Sequence, residues 1–169
     1  MLDNTSEIQN EKRPVFLIVL AVLSFISIGI SFIVNLLNLI QGPKSPEALE
    51  QEQVSAYEAI GPLKQQGMES FVEMIEKSIA MTIYINNEIF YLYNTLTLLS
   101  LIVGLVGVIL MLRLKKIGFH LYVIYSLLPI VLMYALIPMN FIVTFYVILT
   151  VVFSALFCVL YGINLKYMK

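Results

Sequence analysis

Four long apolar runs, at residues 15–40, 89–112, 117–137 and 141–163, contain no Asp, Glu, Lys or Arg. A bilayer core about 30 Å thick requires about 20 apolar residues in a helix. Backbone polar groups in hydrocarbon must also bond within their own segment, so each run is expected to be helical. The pattern predicts an all-α integral membrane four-helix bundle. Residues 1–14 precede the first span, 41–88 form the one long polar connection, 113–116 and 138–140 are tight turns, and 164–169 follow the last span. Pro14 suits a first helical turn, while Gly42 and Pro43 stop the first helix. The shortness of the 138–140 turn makes the third and fourth spans antiparallel neighbours. Residues 15–40 are too long for a cleaved signal and read as an anchor.

The polar connection has its own periodicity. Ser45-Pro46-Glu47 reads as a helix start, and that helix is expected to end near Gly61-Pro62. A second helix follows, because Met68, Phe71, Val72, Ile75, Ile79 and Ile83 recur at steps of three and four. Glu69, Glu73, Glu76 and Lys77 lie mostly on its other side. The stripe predicts a helix packed on the rest of the protein or extending the second span. The alternative is a surface for a partner. Its polar face is acidic, so attraction to anionic lipid is not the drive. Asn86-Asn87-Glu88 marks the edge of the membrane.

Two polar stripes lie within the spans. Ser24, Ser27, Ser31, Asn35 and Asn38 share one face of the first, and Tyr93, Thr97, Ser100, Gly104 and Gly107 share one face of the second. Small residues let helices approach closely, so Ser27, Ser31, Ser100, Gly104 and Gly107 are candidate packing positions, within the bundle or between protomers. A sharper reading places Asn35, Asn38, Asn94, Thr97, Asn140 and Thr144 at one depth, as a polar cluster for a small neutral or lipidic ligand. Pro129, in mid-span, predicts a kink, with Tyr122, Tyr125 and Met133 along the same face.

Composition agrees with the pattern. The chain is 60% apolar and 12% charged, against about 45–50% and 25% in soluble domains. The net charge of −1 hides a segregation. Lys12, Arg13, Arg113, Lys115, Lys116, Lys166 and Lys169 fall at one end of the spans, and Lys44, Lys64 and Lys77 fall in the acidic connection. Basic residues stay on the cytoplasmic side, so both termini are expected in the cytoplasm of a cell's inner membrane and residues 41–88 outside it.

Chemistry is sparse. No Asp, Glu, Lys or Arg lies in a span, which argues against a pump or a proton-coupled transporter. His120, the only histidine, reads as an interfacial anchor, with no further ligands near it for a metal. Cys158, the only cysteine, excludes an intrachain disulfide and reads as a packing residue. There is no nucleophile elbow, phosphate loop or basic face for nucleic acid. No cofactor is expected. The expectation is a non-enzymatic accessory or scaffolding subunit that contacts lipid and either a membrane-protein partner or its own copies. The alternative is a small channel-like, transporter-like or lipid-binding protein that uses the polar cluster.

The hairpin around Leu114-Lys115-Lys116-Ile117-Gly118-Phe119-His120-Leu121-Tyr122 resembles a Leu-Lys-Lys-x-Gly-Phe-x-x-Tyr pattern in small, uncharacterised four-span bacterial membrane proteins. There it joins spans two and three. The likeness extends at most over residues 104–129 and implies no activity. Claudin-like proteins share the layout, but the long connection here has neither tryptophan nor paired cysteines.

Overall fold

A computed structural model describes residues 14–169. The expectation for Lys12 and Arg13 lies outside the described residues. Six α-helices follow in order: α1 Val15–Gln41, α2 Pro46–Gln65, α3 Glu69–Glu88, α4 Phe90–Leu112, α5 Lys116–Leu136 and α6 Thr144–Gly162. Short 3-10 turns lie at Met139–Phe141 and Ile163–Tyr167. No strand occurs among the described residues. Helices α1, α4, α5 and α6 (with its 3-10 extension) are long and apolar enough to cross a membrane.

The expected punctuation holds at α1. It starts after Pro14 and ends at Gly42, whose positive φ of 76° suits glycine and whose N–H bonds to the Asn38 carbonyl at 2.9 Å. Two boundaries differ from the sequence expectation. Helix α2 runs through Gly61 and Pro62. Its end is set at Gly67, where φ is 70°. There the Met68 N–H reaches the Leu63 carbonyl at 3.0 Å and the Gly67 N–H reaches that of Lys64 at 3.1 Å. These paired bonds satisfy the final carbonyls, and Gly67 is the residue that can adopt the required turn. Pro62 lies in the last turn, where its ring removes only the bond its own nitrogen would make to the Glu58 carbonyl. At the other boundary, α6 begins at Thr144 rather than at residue 141. Ile142 and Val143 take extended conformations and bury their side chains. β-branched residues accept that geometry readily, and burial of Ile142 beside Met133 and Ile137 decides it.

Helices α4 and α5 form the tightest pair, α1 packs along α4, and α6 packs along α5. The seam between α4 and α5 is nearly side-chain-free. A Cβ on Gly118 would lie 2.6 Å from the Gly107 carbonyl oxygen and 2.6 Å from the Met111 nitrogen, and one on Gly107 would lie 3.0 Å from the Tyr122 nitrogen. The turn between them places Leu114 at φ 58°. The C-terminal segment is tied to this turn. The Lys169 N–H bonds to the Leu114 carbonyl at 2.7 Å, and the Lys116 N–H bonds to the Lys169 carbonyl at 2.9 Å.

The main core lies towards this end, where Leu17, Leu20, Ala21, Met111 and Tyr161 are buried together. A smaller core lies at the opposite end, where Met133, Ile137 and Ile142 meet Met81 and Ile85 of α3. Helix α3 therefore has two packed faces. Ile75, Ile79 and Ile83 turn towards α2, and Met81 and Ile85 turn towards the α5–α6 connection. Asn86 holds this hairpin in place: its side-chain oxygen accepts from the Lys44 backbone N–H at 2.8 Å and its amide donates to the Lys44 carbonyl at 3.2 Å.

Candidate polar crevice

The two polar stripes meet where α1 crosses α4. Asn35 donates from Nδ2 to Asn94 Oδ1 at 3.0 Å, and Asn94 donates from Nδ2 to the Phe90 carbonyl at 2.7 Å. Asn35 lies six residues from the end of α1 and Asn94 four residues from the start of α4. At 1.5 Å per residue the pair is about 6–9 Å inside that end of the bundle.

A cavity of about 370 Å³ opens beside this pair. Its polar lining includes Asn35, Asn38, Thr97 and Ser100, and its third wall is Tyr125 and Pro129 of α5. Two of these lining residues each carry a polar atom, Asn35 Oδ1 and Ser100 Oγ, that is buried without a hydrogen-bond partner. Asn35 is 8% exposed and Ser100 3%. An orphaned buried polar group costs about 1–3 kcal/mol, so two beside one cavity give it a binding character.

A second cavity of about 470 Å³ neighbours the first, and Tyr125 and Pro129 line both. It lies between α1 and α6, over α5. Its hydroxyls are largely occupied. Ser126 donates to the Tyr122 carbonyl at 2.9 Å, Ser154 to the Ser126 carbonyl at 3.1 Å and Thr150 to the Tyr146 carbonyl at 2.8 Å. Satisfied in this way, they leave a surface of Leu23, Ile28, Leu149, Phe153 and Phe157. The gap exists because α1 and α6 have little direct packing. They are bridged towards the α4–α5 turn by Tyr161, whose hydroxyl donates to Ser24 Oγ at 2.9 Å, with the Tyr122 hydroxyl 3.4 Å from the same atom.

Four members of the expected cluster converge: Asn35, Asn38 and Thr97 line the crevice and Asn94 braces it. Asn140 and Thr144 do not join them. Both are exposed, and Thr144 lines a separate cleft with Phe71 and Met74 of α3. The displaced start of α6 is the reason, since it moves these residues onto the α5–α6 connection. Their place as the third wall is taken by α5.

Of the packing candidates, Gly104 and Gly107 lie in the α4–α5 seam within one chain. A Cβ on Gly104 would meet the Tyr125 ring at 2.8 Å. Ser27 lines the second cavity, and Ser31 and Ser100 line the first. Sequence reasoning missed Tyr125 as a wall and the node of Ser24, Tyr122 and Tyr161. Pro129 and the tyrosine face were legible signals for the first, whereas the node spans three helices and left no local signal. His120 is exposed, with Nδ1 3.0 Å from the Lys116 carbonyl. No group of three or more His, Cys, Asp or Glu suited to a metal occurs among the described residues.

These elements define a class of protein: an all-α bundle of four membrane-length apolar helices, with a helical hairpin packed at one end and a polar crevice in its side. In comparisons with known proteins, no family model, no curated protein and no solved structure matches the chain.

Proposed function

We propose that this is a multi-pass, non-enzymatic protein of the inner membrane that binds a lipid-like molecule in the crevice between α1 and α5. The observation that carries the reading is the pair of unpartnered buried atoms, Asn35 Oδ1 and Ser100 Oγ, beside a cavity of about 370 Å³. Support comes from its position about 6–9 Å inside the end of two membrane-length helices and from walls that include Val34, Leu101 and Leu132. Most ligand sites combine an apolar lining with a few placed polar groups. Arg113, Lys115, Lys116, Lys166 and Lys169 cluster at the α4–α5 end, which supports a cytoplasmic location for that end. The α2–α3 hairpin then lies outside, and the crevice belongs to the outer leaflet.

The test is purification in mild detergent followed by lipid extraction and mass spectrometry. About one retained amphiphile per protein is expected, and it should be lost in a folded Asn35→Leu, Asn38→Leu double variant. Equal retention in that variant would remove the site from the crevice.

A second reading, an accessory subunit, is favoured by α6. Tyr161 is its one buried residue, and Ile148, Val152 and Val159 are exposed and line neither cavity. Photo-cross-linkers placed on that face in native membranes should capture a stoichiometric protein partner. Capture of lipid alone would leave α6 a lipid-facing helix.

A further inference from the structure

The amide relay fixes more than the shape of the crevice. The Phe90 carbonyl can only accept a hydrogen bond, so Asn94 must turn its NH₂ group towards it. That leaves Asn94 Oδ1 facing Asn35, which must present its own NH₂. Each amide orientation is thus dictated by the one before it, starting from a backbone group. The end of the relay is Asn35 Oδ1, a buried acceptor without a partner on a residue that lines the cavity. Ser100 Oγ, the other unpartnered atom, can donate or accept.

No Lys, Arg, His, Asp or Glu lines either cavity. An anionic head would enter without a countercharge and lose its hydration, at a cost of several kcal/mol. An ammonium head would meet the same penalty. A neutral hydroxyl donates to Asn35 and accepts from Ser100, which satisfies both atoms. Below the polar cavity, the second one is also lined by Pro129, and the hydroxyls of Ser24, Ser126, Thr150 and Ser154 in its lining are internally bonded. From Asn35 to Leu23 along α1 is twelve residues, about 18 Å. That is close to one leaflet of a core about 30 Å thick.

From these observations we infer, resting on the crevice reading above, that the ligand is a neutral alcohol-headed lipid. Its hydroxyl donates to Asn35 Oδ1 and its chain lies between α1 and α6. The polar and apolar cavities are the head and tail compartments of one site.

The wild-type protein in phosphatidylcholine nanodiscs provides the test. The discs carry dioleoylglycerol, its O-methyl ether or dioleoylphosphatidic acid at equal mole fraction, and retained lipid is counted by native mass spectrometry. The expected result is retention of dioleoylglycerol about tenfold over the ether, the equivalent of one buried hydrogen bond, and over phosphatidic acid by at least as much. Asn94→Leu, which frees the Asn35 amide to rotate, should collapse the preference over the ether. Equal retention of alcohol and ether overturns the donor assignment while a crevice occupied by lipid stands. Preference for phosphatidic acid or phosphatidylcholine overturns the neutral head. Displacement by millimolar glycerol would assign the site to a soluble alcohol. Retention of none of these lipids overturns both this inference and the crevice reading. Because the comparison between ligands uses the wild-type chain, it holds even where a variant fails to fold.

Discussion

At the scale of single residues, the α4–α5 pair depends on glycine. A Cβ added to Gly118 would lie 2.6 Å from both the Gly107 oxygen and the Met111 nitrogen, closer than any Cβ can tolerate. Neither side of that contact is a flexible side chain that could swing away. Gly118→Ala should therefore destabilise the protein by about 1–3 kcal/mol, as overpacking does, in thermal unfolding of the detergent-solubilised protein. Gly29→Ala has open space around its Cβ and is expected to be neutral or to stabilise by up to about 1 kcal/mol. Equal losses at the two positions would sink the seam argument. Gly107 was legible in the sequence because glycine at helical spacing in an apolar run marks close approach. Gly118 was visible only as part of a hairpin motif, because its reason lies on another helix. The candidate site divides in the same way. Asn35, Asn38, Asn94 and Thr97 were readable from polarity at one depth. Asn140 and Thr144 were misplaced because depth says nothing about which way a helix begins.

At the scale of elements, the α2–α3 hairpin was readable in outline and wrong in one boundary. Gly61-Pro62 looks like a stop, yet the stop chemistry is at Gly67, whose left-handed φ closes the last turn. Gly61→Ala should cost less than about 1 kcal/mol, since its Cβ meets nothing within 4 Å beyond its chain neighbours and the gain in helix propensity offsets crowding against the Pro62 ring. Gly67→Ala should lower stability by about 1–2 kcal/mol through the left-handed penalty. The reverse ranking would restore the boundary at Gly61. The hairpin also carries a pH dependence. The backbone and Ser45 hydroxyl at the start of α2 hold the Glu47 carboxyl below its ordinary 4.5, and a hydrogen bond and charge from Lys77 hold Glu73 below it too. A lowered folded-state pKa contributes stability above the unfolded value that is lost as pH falls through the folded one. Both carboxyls are solvent-exposed, so the effect is small. Hydrogen exchange in α2 and α3 should quicken, relative to the α4–α5 pair, as pH drops below 4.5. A hairpin whose protection is unchanged at pH 3 would show that these contacts contribute nothing. Asn86, by contrast, was read as an edge marker, because a side chain that clamps backbone 42 residues away leaves no trace in local pattern.

At the scale of the whole molecule, the number and order of the four membrane-length helices followed from hydropathy alone, because a backbone in lipid has no alternative to a helix. The neighbour relations did not, apart from those enforced by short turns. That α1 packs along α4 and barely touches α6 depends on side-chain fit between segments far apart in the chain. The arrangement places the α4–α5 turn and the C-terminal segment at one end through the paired backbone bonds of Leu114, Lys116 and Lys169. With Cys158 replaced by Ala, single cysteines at Lys115 and Lys166 should be labelled by an impermeant thiol reagent only after the membrane is opened. Cysteines at Glu50 and Asn140 should be labelled in intact cells. Labelling of all four from one face would end the proposed topology. On the proposed reading, the opening between α1 and α6 would face the acyl region and not water. An occupant would be sampled from a two-dimensional reservoir, so its binding constant is a mole fraction of one leaflet rather than a molarity. Occupancy would then follow the composition of the surrounding bilayer continuously, as a gauge does, and would be indifferent to the volume of fluid outside the cell.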